Sequence, residues 1–201
     1  MEHYRPKSVY WWLAYCYDNY VYSCQICNQS YKGANFPISG TALPEPVLPQ
    51  PLDEAAIEQL AGTLAPDPLD APAGAQFQHD AALEEAHILD PYVVDPAALF
   101  AWRSDPTLGE VEIQPRDNTP EAQRAFEAAE QFLGLNRQEL KGWQWDVYDT
   151  AETLGLAALA GVLAAPLQQR TEDRPRTMMS VEREFAGMVR YLVQDVMGLA
   201  L

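Results

Sequence analysis

The sequence predicts an α+β protein that is mostly helical. It reads as a small aromatic-rich unit, a proline-rich connector and a helical region. Three observations lead there. Residues 1–38 place the strand-like Tyr20-Val21-Tyr22 just before a Cys24-Gln25-Ile26-Cys27 turn. Residues 39–76 hold seven of the sixteen prolines. Residues 77–201 carry helix-start devices followed by apolar residues at helical spacing.

In chain order, Asn28 to Gly33 is expected to begin a short helix or loop. The connector contains Pro44, Pro46, Pro49, Pro51, Pro66, Pro68 and Pro72, which favour extended polyproline-like backbone. One helix is expected to interrupt it, with Asp53 as N-cap and Ala56, Ile57, Leu60 and Leu64 along one side. Asp95-Pro96 predicts an N-cap followed by proline in the first turn, opening a helix through Leu99, Phe100 and Trp102. Thr119-Pro120 repeats the device. Ala122, Ala125, Phe126, Ala129, Phe132 and Leu133 then form one stripe, and Gly134 ends it. Asn136 with Glu139 resembles a capping box for a long helix running to about Ala165, stopped by Pro166. Ser180 is expected to cap a last helix that turns Phe185, Met188, Val189, Leu192, Val193 and Val196 inward.

The 201 residues suffice for a real core, and a hydrophobic content of 48% is ordinary for a globular chain. The charge is not ordinary. Thirteen Lys and Arg against 29 Asp and Glu give −16. Such a surface repels a nucleic-acid backbone over about 10 Å at ordinary salt. Tight, autonomous, non-specific DNA binding is therefore not expected. A local basic surface or a partner would have to supply the attraction, and Arg5, Lys7 and Lys32 are the local candidates. The acidic helices are read as a solvated face or as a surface for a basic partner. Three clustered cysteines are too few for a disulfide framework, which suggests a reducing compartment. Glu2, His3, Arg5 and Lys7 occupy the place of a signal peptide's apolar run, so none is expected. The apolar stretch Leu154 to Leu167 is broken by Gly155, Gly161 and Pro166 and is too short for a membrane span. These points predict a soluble protein of the cytoplasm.

The chemistry concentrates near the N-terminus. Hydrolysis of a phosphodiester needs a base for water, a cation for the phosphate charge, and a group that holds the base in place. His3 suits the base, because imidazole titrates near neutrality. Glu2 and Asn28 offer the oxygen donors that hard cations prefer. Asn19 can hold the His3 ring or its loop through its amide. Lys32, Arg5 and Lys7 are candidates for contacting a phosphate. Each piece also has a plain reading: a solvated Glu-His pair, an Asp18-Asn19 turn, two reduced structural thiols. Cys16 reads as a small buried residue. Tyr10, Trp11, Trp12, Tyr15, Tyr17, Tyr20 and Tyr22 suit either base stacking or packing of the small unit. His87 reads as a helix-end histidine, and Asp90 and Asp95, each before a proline, as turn and cap residues.

Several segments together carry a resemblance. They are Glu2-His3-Tyr4-Arg5-Pro6-Lys7-Ser8, Leu13-Ala14-Tyr15, Tyr17-Asp18-Asn19, Ser23-Cys24-Gln25-Ile26-Cys27-Asn28 and Lys32-Gly33 with Phe36-Pro37. In residue order they resemble the HNH proteins of anti-phage Septu systems and certain retrons. Ile88-Leu89-Asp90-Pro91-Tyr92 with Asp95-Pro96, and Leu133-Gly134-Leu135-Asn136-Arg137, continue the likeness. It implies a ββα-metal (HNH, treble-clef-like) unit in the first 38 residues. It further implies a bacterial DNA endonuclease subunit that uses Mg²⁺ or Mn²⁺ and works in a hetero-oligomer with an ABC-type ATPase. Carried over, His3 would be the general base and Asn19 the residue that orients the site. Glu2 and Asn28 would be the metal ligands.

The sequence departs from that family at its zinc site. Relatives usually carry a further Cys pair before the Glu-His step, completing four thiolates. Here Met1 stands directly before Glu2, and only Cys24 and Cys27 match. Either the start is shortened or the unit lacks its zinc. The strand that would precede His3 is missing too, which would leave the base on a frayed end. A second reading follows: a non-catalytic interaction subunit that keeps a remnant of the fold and binds an ATPase.

Overall fold

Glu2–His3 pairs antiparallel with Tyr20–Val21, Glu2 opposite Val21 and His3 opposite Tyr20. These are β1 and β2 of the computed structural model, which describes every residue except 65, 162, 181, 182 and 201 and gives no side-chain detail for 62 and 63. The protein is α+β. About half of the described residues are helical, and the described strands form two sheets of two strands each. It divides into two compact units, Met1–Pro91 with Gln131–Leu133, and Tyr92–Glu130 with Gly134–Leu201.

In the first unit, the loop between the strands makes two short 3-10 turns, Trp11–Leu13 and Tyr17–Asn19. Leu13 and Cys16 are buried there with Tyr10, and Trp12, Phe36, Leu43 and Phe77 pack around them. Burial pushes the Cys16 thiol's pKa up, as suits a small core residue. After β2 comes a π-helical segment, Ile26–Lys32, ended by Gly33 at φ +49°. The expected helix or loop at 28–33 thus starts earlier, inside the Cys24–Cys27 turn. His3 is not on a frayed end: it lies within a paired strand.

The proline-rich region holds two helices. The first is α1, Glu54–Leu64, whose Ala56 N–H is capped by Asp53 Oδ1 at 2.9 Å. The second is α2, Ala71–Ala82, capped by Asp70 with Pro72 in its first turn. The start of the proline-rich stretch is hydrogen-bonded to residues after α2. Gly40 and Thr41 donate backbone hydrogen bonds to Glu84 and Leu83 at 2.8 Å each, and His87 donates to Pro37 at 3.0 Å. The first unit therefore runs on to Pro91.

The second unit departs from the helix expected after Asp95-Pro96. The proline opens only a 3-10 turn, Pro96–Ala98, with Asp95 accepting from Ala97 N–H. A hairpin follows: β3, Phe100–Asp105, and β4, Glu110–Pro115, in register from Phe100↔Pro115 to Asp105↔Glu110. Two-residue alternation decides it. Val111 and Ile113 are buried while Glu110 and Glu112, on the other face, are half-buried. Asp105 Oδ1 accepts from Thr107 and Leu108 N–H, and Gly109 supplies the positive φ of +65° that closes the turn.

Helix α3, Pro120–Leu133, begins and ends as expected, with Thr119 capping Ala122 N–H and Gly134 left-handed at its C-terminus. Its buried stripe is Ala122, Ala125, Ala128 and Ala129. The capping box does not form. Arg137 is the N-cap of α4, Gln138–Ala160, without a side-chain cap. Asn136 instead serves the hairpin, accepting from Ile113 N–H at 2.8 Å and donating to Ile113 C=O at 3.0 Å. Gly161, left-handed, ends α4 before Pro166. That proline lies in the first turn of α5, Ala165–Met178, where a missing N–H costs nothing. The last helix is α6, Ala186–Arg190, continuing as a π-helical segment Tyr191–Val196. Ser180 does not cap it. Phe185 at φ +57° precedes it, and Ser180 C=O accepts from Arg183 N–H in a separate turn. Met188, Val189, Leu192 and Val193 are core residues with Val111, Tyr148, Ala151 and Met179, while Val196 is exposed.

Candidate functional site

The antiparallel pairing of β1 with β2 fixes the backbone of His3. Its side chain is fixed separately. His3 Nε2 lies 2.9 Å from the carbonyl oxygen of Ala14. A carbonyl only accepts, so Nε2 carries the proton and the neutral ring keeps its lone pair on Nδ1. The Tyr20 hydroxyl donates to the same carbonyl at 2.6 Å. Its ring stands 4.9 Å from the imidazole, tilted by 40°. One main-chain oxygen thus locks the two rings together.

The loop that presents this carbonyl is held by Asn19, which is fully buried. Its amide nitrogen donates to Leu13 C=O at 3.1 Å and to Arg5 C=O at 3.0 Å. Its amide oxygen accepts from Arg5 N–H at 2.8 Å. Asn19 therefore ties the chain after His3 to the residue before Ala14. It reaches the loop and leaves the ring to Ala14 and Tyr20.

Lys32 connects the π-helical segment to β1. Its Nζ donates to His3 C=O at 2.9 Å and lies 3.7 Å from Glu2 Oε1. Burial lowers the Lys32 pKa, with Glu2 opposing the shift. Asn28 lies four residues before Lys32 in the same segment and is half-buried. Lys32, not Asn28, makes the contact with the strand bearing Glu2 and His3.

The cations expected at a phosphate are mostly committed elsewhere. Arg5 is buried, its Nε 2.6 Å from Glu84 Oε2, with its guanidinium over the rings of Tyr4, Phe36 and Phe77. Lys32 is buried too. Of the three, Lys7 is exposed. The aromatic residues divide. Tyr4 and Tyr10 are buried, and Tyr4 donates to Ile88 C=O at 2.5 Å. Tyr15, Tyr17 and Tyr22 are exposed. Burial raises the Tyr4 and Tyr10 hydroxyl pKa values, and for Tyr10 a hydrogen bond to Glu84 adds to the rise. His87 Nε2 pairs with Ser39 Oγ at 2.6 Å, away from His3 in sequence.

Cys24 and Cys27 lie with their sulfurs 3.1 Å apart, and Cys27 N–H donates to Cys24 Sγ at 3.2 Å. Among the described residues no group of three or more His, Cys, Asp or Glu could hold a metal ion. A closed structural zinc wants four such ligands, and the two thiols supply two of them. Glu2 carries a carboxylate and Asn28 an amide oxygen, the donor types a hard cation prefers, and the Glu2 carboxylate lies 3.7 Å from Lys32 Nζ.

Sequence reasoning missed Glu84, the Ala14 carbonyl and the Tyr20 hydroxyl. The first is remote in sequence and the second belongs to the main chain. Tyr20 stands among so many aromatic residues that nothing singled it out. A groove of about 630 Å³ beside α4 and α5, lined in part by Leu154, Leu167, Arg170 and Arg174, contains none of the candidate catalytic residues. No described helix is long and apolar enough to cross a membrane. Comparison with known proteins finds no matching family model, no matching curated protein and no matching solved structure.

Proposed function

We propose that this chain is an HNH-type, metal-dependent endonuclease subunit that hydrolyses DNA phosphodiester bonds within a bacterial anti-phage complex containing an ABC-type ATPase. One observation carries the reading: His3 Nε2 is tied to Ala14 C=O, which leaves Nδ1 as the proton acceptor. A general base needs a fixed ring and a defined tautomer, and a solvated surface histidine has neither. The order strand, strand, helix in residues 2–32, with Lys32 joining the helix to the His3 backbone, also suits a ββα-metal unit.

In this reading His3 Nδ1 takes the proton from the attacking water. Asn19 and Tyr20 keep the imidazole aimed, through the loop and the shared carbonyl. Glu2 and Asn28 would hold Mg²⁺ or Mn²⁺, whose charge offsets that of the phosphate. Lys7 is the exposed cation nearest in sequence for a phosphate oxygen.

A second reading is a non-catalytic subunit that binds the ATPase. The burial of Arg5 and Lys32, together with the net charge of −16, favours it. Purified protein, alone and with its ATPase partner, incubated with supercoiled plasmid and Mn²⁺ separates the two. Nicking or linearisation that a His3→Ala variant loses supports the nuclease. A His3→Ala variant that cuts as well as wild type refutes the assigned base. No cleavage in either preparation favours the binding subunit.

A further inference from the structure

We infer that the groove beside α4 and α5 binds a medium-chain carboxylate, an alkyl tail with one anionic head. The groove lies within the second unit and has a volume of about 630 Å³. Three leucines from three successive segments give it an apolar wall. They are Leu154 of α4, Leu163 of the α4–α5 connection and Leu167 of α5. Leu154 and Leu163 are half-buried, and Leu167 is exposed. An alkyl chain laid against them would take this apolar surface out of water.

Charge decides the head. Arg170 and Arg174 line the same groove and are exposed. They stand four residues apart on α5, hence on one side of that helix. Among the described residues neither guanidinium has an ion-pair partner. The carboxylate that also lines the groove, Asp173, is engaged by Arg176 at 3.0 Å. Two cations without counter-charges are a local exception in a chain of net charge −16. They select an anion, and guanidinium forks match the two oxygens of a carboxylate. The leucines beside them select an alkyl carboxylate over a compact inorganic anion. The volume is that of a small-molecule site, so the occupant is a single amphiphile.

Binding here is independent of the nuclease reading, and its test does not read cleavage. The full chain is titrated with decanoate below its micelle-forming concentration, by calorimetry and by the arginine Nε–Hε NMR signals. Saturable one-to-one binding is expected, with shifts at Arg170 and Arg174 and weaker binding as salt is raised. Octanoate, shorter by two methylene groups, should bind about tenfold more weakly. An Arg170→Gln/Arg174→Gln variant should also bind about tenfold more weakly. Both side chains are exposed, so its thermal melt should match wild type. Leu167→Glu, also at an exposed position, should abolish binding by setting a carboxylate against the ligand. Four results overturn the proposal. One is no saturation before micelles form. Another is decanol binding as tightly as decanoate, which would leave no role for the anion. A third is undiminished binding in the double arginine variant. The last is a dimer of this chain, in sedimentation, whose contact maps to these leucines, which would assign the groove to a second copy.

Discussion

Arg5 Nε lies 2.6 Å from Glu84 Oε2, across 79 positions of sequence, and both side chains are buried, at 4% and 0% exposure. Glu84 also accepts from Leu43 N–H through its other oxygen at 3.1 Å and shares a hydrogen bond with Tyr10. Three stretches of the first unit converge on one carboxylate.

Removing that carboxylate alone leaves a buried guanidinium without its counter-charge. Glu84→Ala should lower the unfolding free energy by about 3–5 kcal/mol, measured by urea unfolding. The double variant Arg5→Met/Glu84→Leu should recover much of the loss, since an apolar pair of similar volume removes the unpaired charge. A double variant as unstable as the single one would show that the ion pair is not the source.

Asn19 and Tyr20 act on His3 at different removes, so their variants should differ. Asn19→Ala breaks three buried hydrogen bonds and should cost about 2–4 kcal/mol of stability, with activity falling alongside. Tyr20→Phe removes only the hydroxyl from Ala14 C=O. It should leave stability within about 1 kcal/mol while changing the pH dependence of any cleavage. Unchanged stability in Asn19→Ala, by thermal melting, would contradict the role given to its amide.

The hairpin carries an acid-sensitive contact. Burial alone would raise the Glu112 carboxyl, but hydrogen bonds from Lys141 and Arg103 outweigh it and hold its pKa below the ordinary 4.5. Lys141 Nζ stands 3.1 Å from Glu112 Oε2. A carboxyl whose folded pKa is depressed contributes stability above its unfolded pKa, and loses it as pH falls through the folded value. Wild type should therefore lose stability below about pH 4.5 more steeply than Glu112→Gln. Equal slopes for the two proteins in acid urea titrations would exclude the contribution.

Gly40 sits where a side chain has no room. A Cβ there would collide with the backbone oxygen of Leu83. Backbone cannot swing aside as a side-chain tip can, so Gly40→Ala should cost about 1–3 kcal/mol or more and open the Gly40–Glu84 hydrogen bond to amide exchange. Gly74→Ala, with nothing within 4 Å, is the control and should be close to neutral.

How far the sequence discloses these features follows from where each signal lies. The Thr119-Pro120 start and Gly134 stop of α3, and the Asp53 cap of α1, are local chemistry and are legible. Asp95-Pro96 is local too, but the same dipeptide starts a 3-10 turn or an α-helix. The alternation of Val111 and Ile113 with acidic residues decides between them farther along. Asn136 has the spacing of a cap, yet hydrogen bonds to a neighbouring strand claim it. At the candidate site, His3, Asn19 and the Cys-X-X-Cys turn stand out as residue types. The carbonyl that holds His3 has no side-chain signature, and the partner of Arg5 is too remote for any motif to include it.

The N-terminal site is short in sequence but broad in support. Tyr4 leans on Ile88, Arg5 on Glu84, and residues 39–41 ladder onto 83–85. A peptide cut after residue 38 would keep every candidate site residue and lose the bracing that shapes the site. Such a fragment should give the collapsed NMR amide dispersion of an unstructured chain, whereas one extended through Pro91 should not. For grafting or minimising this site, the indivisible piece is the longer one.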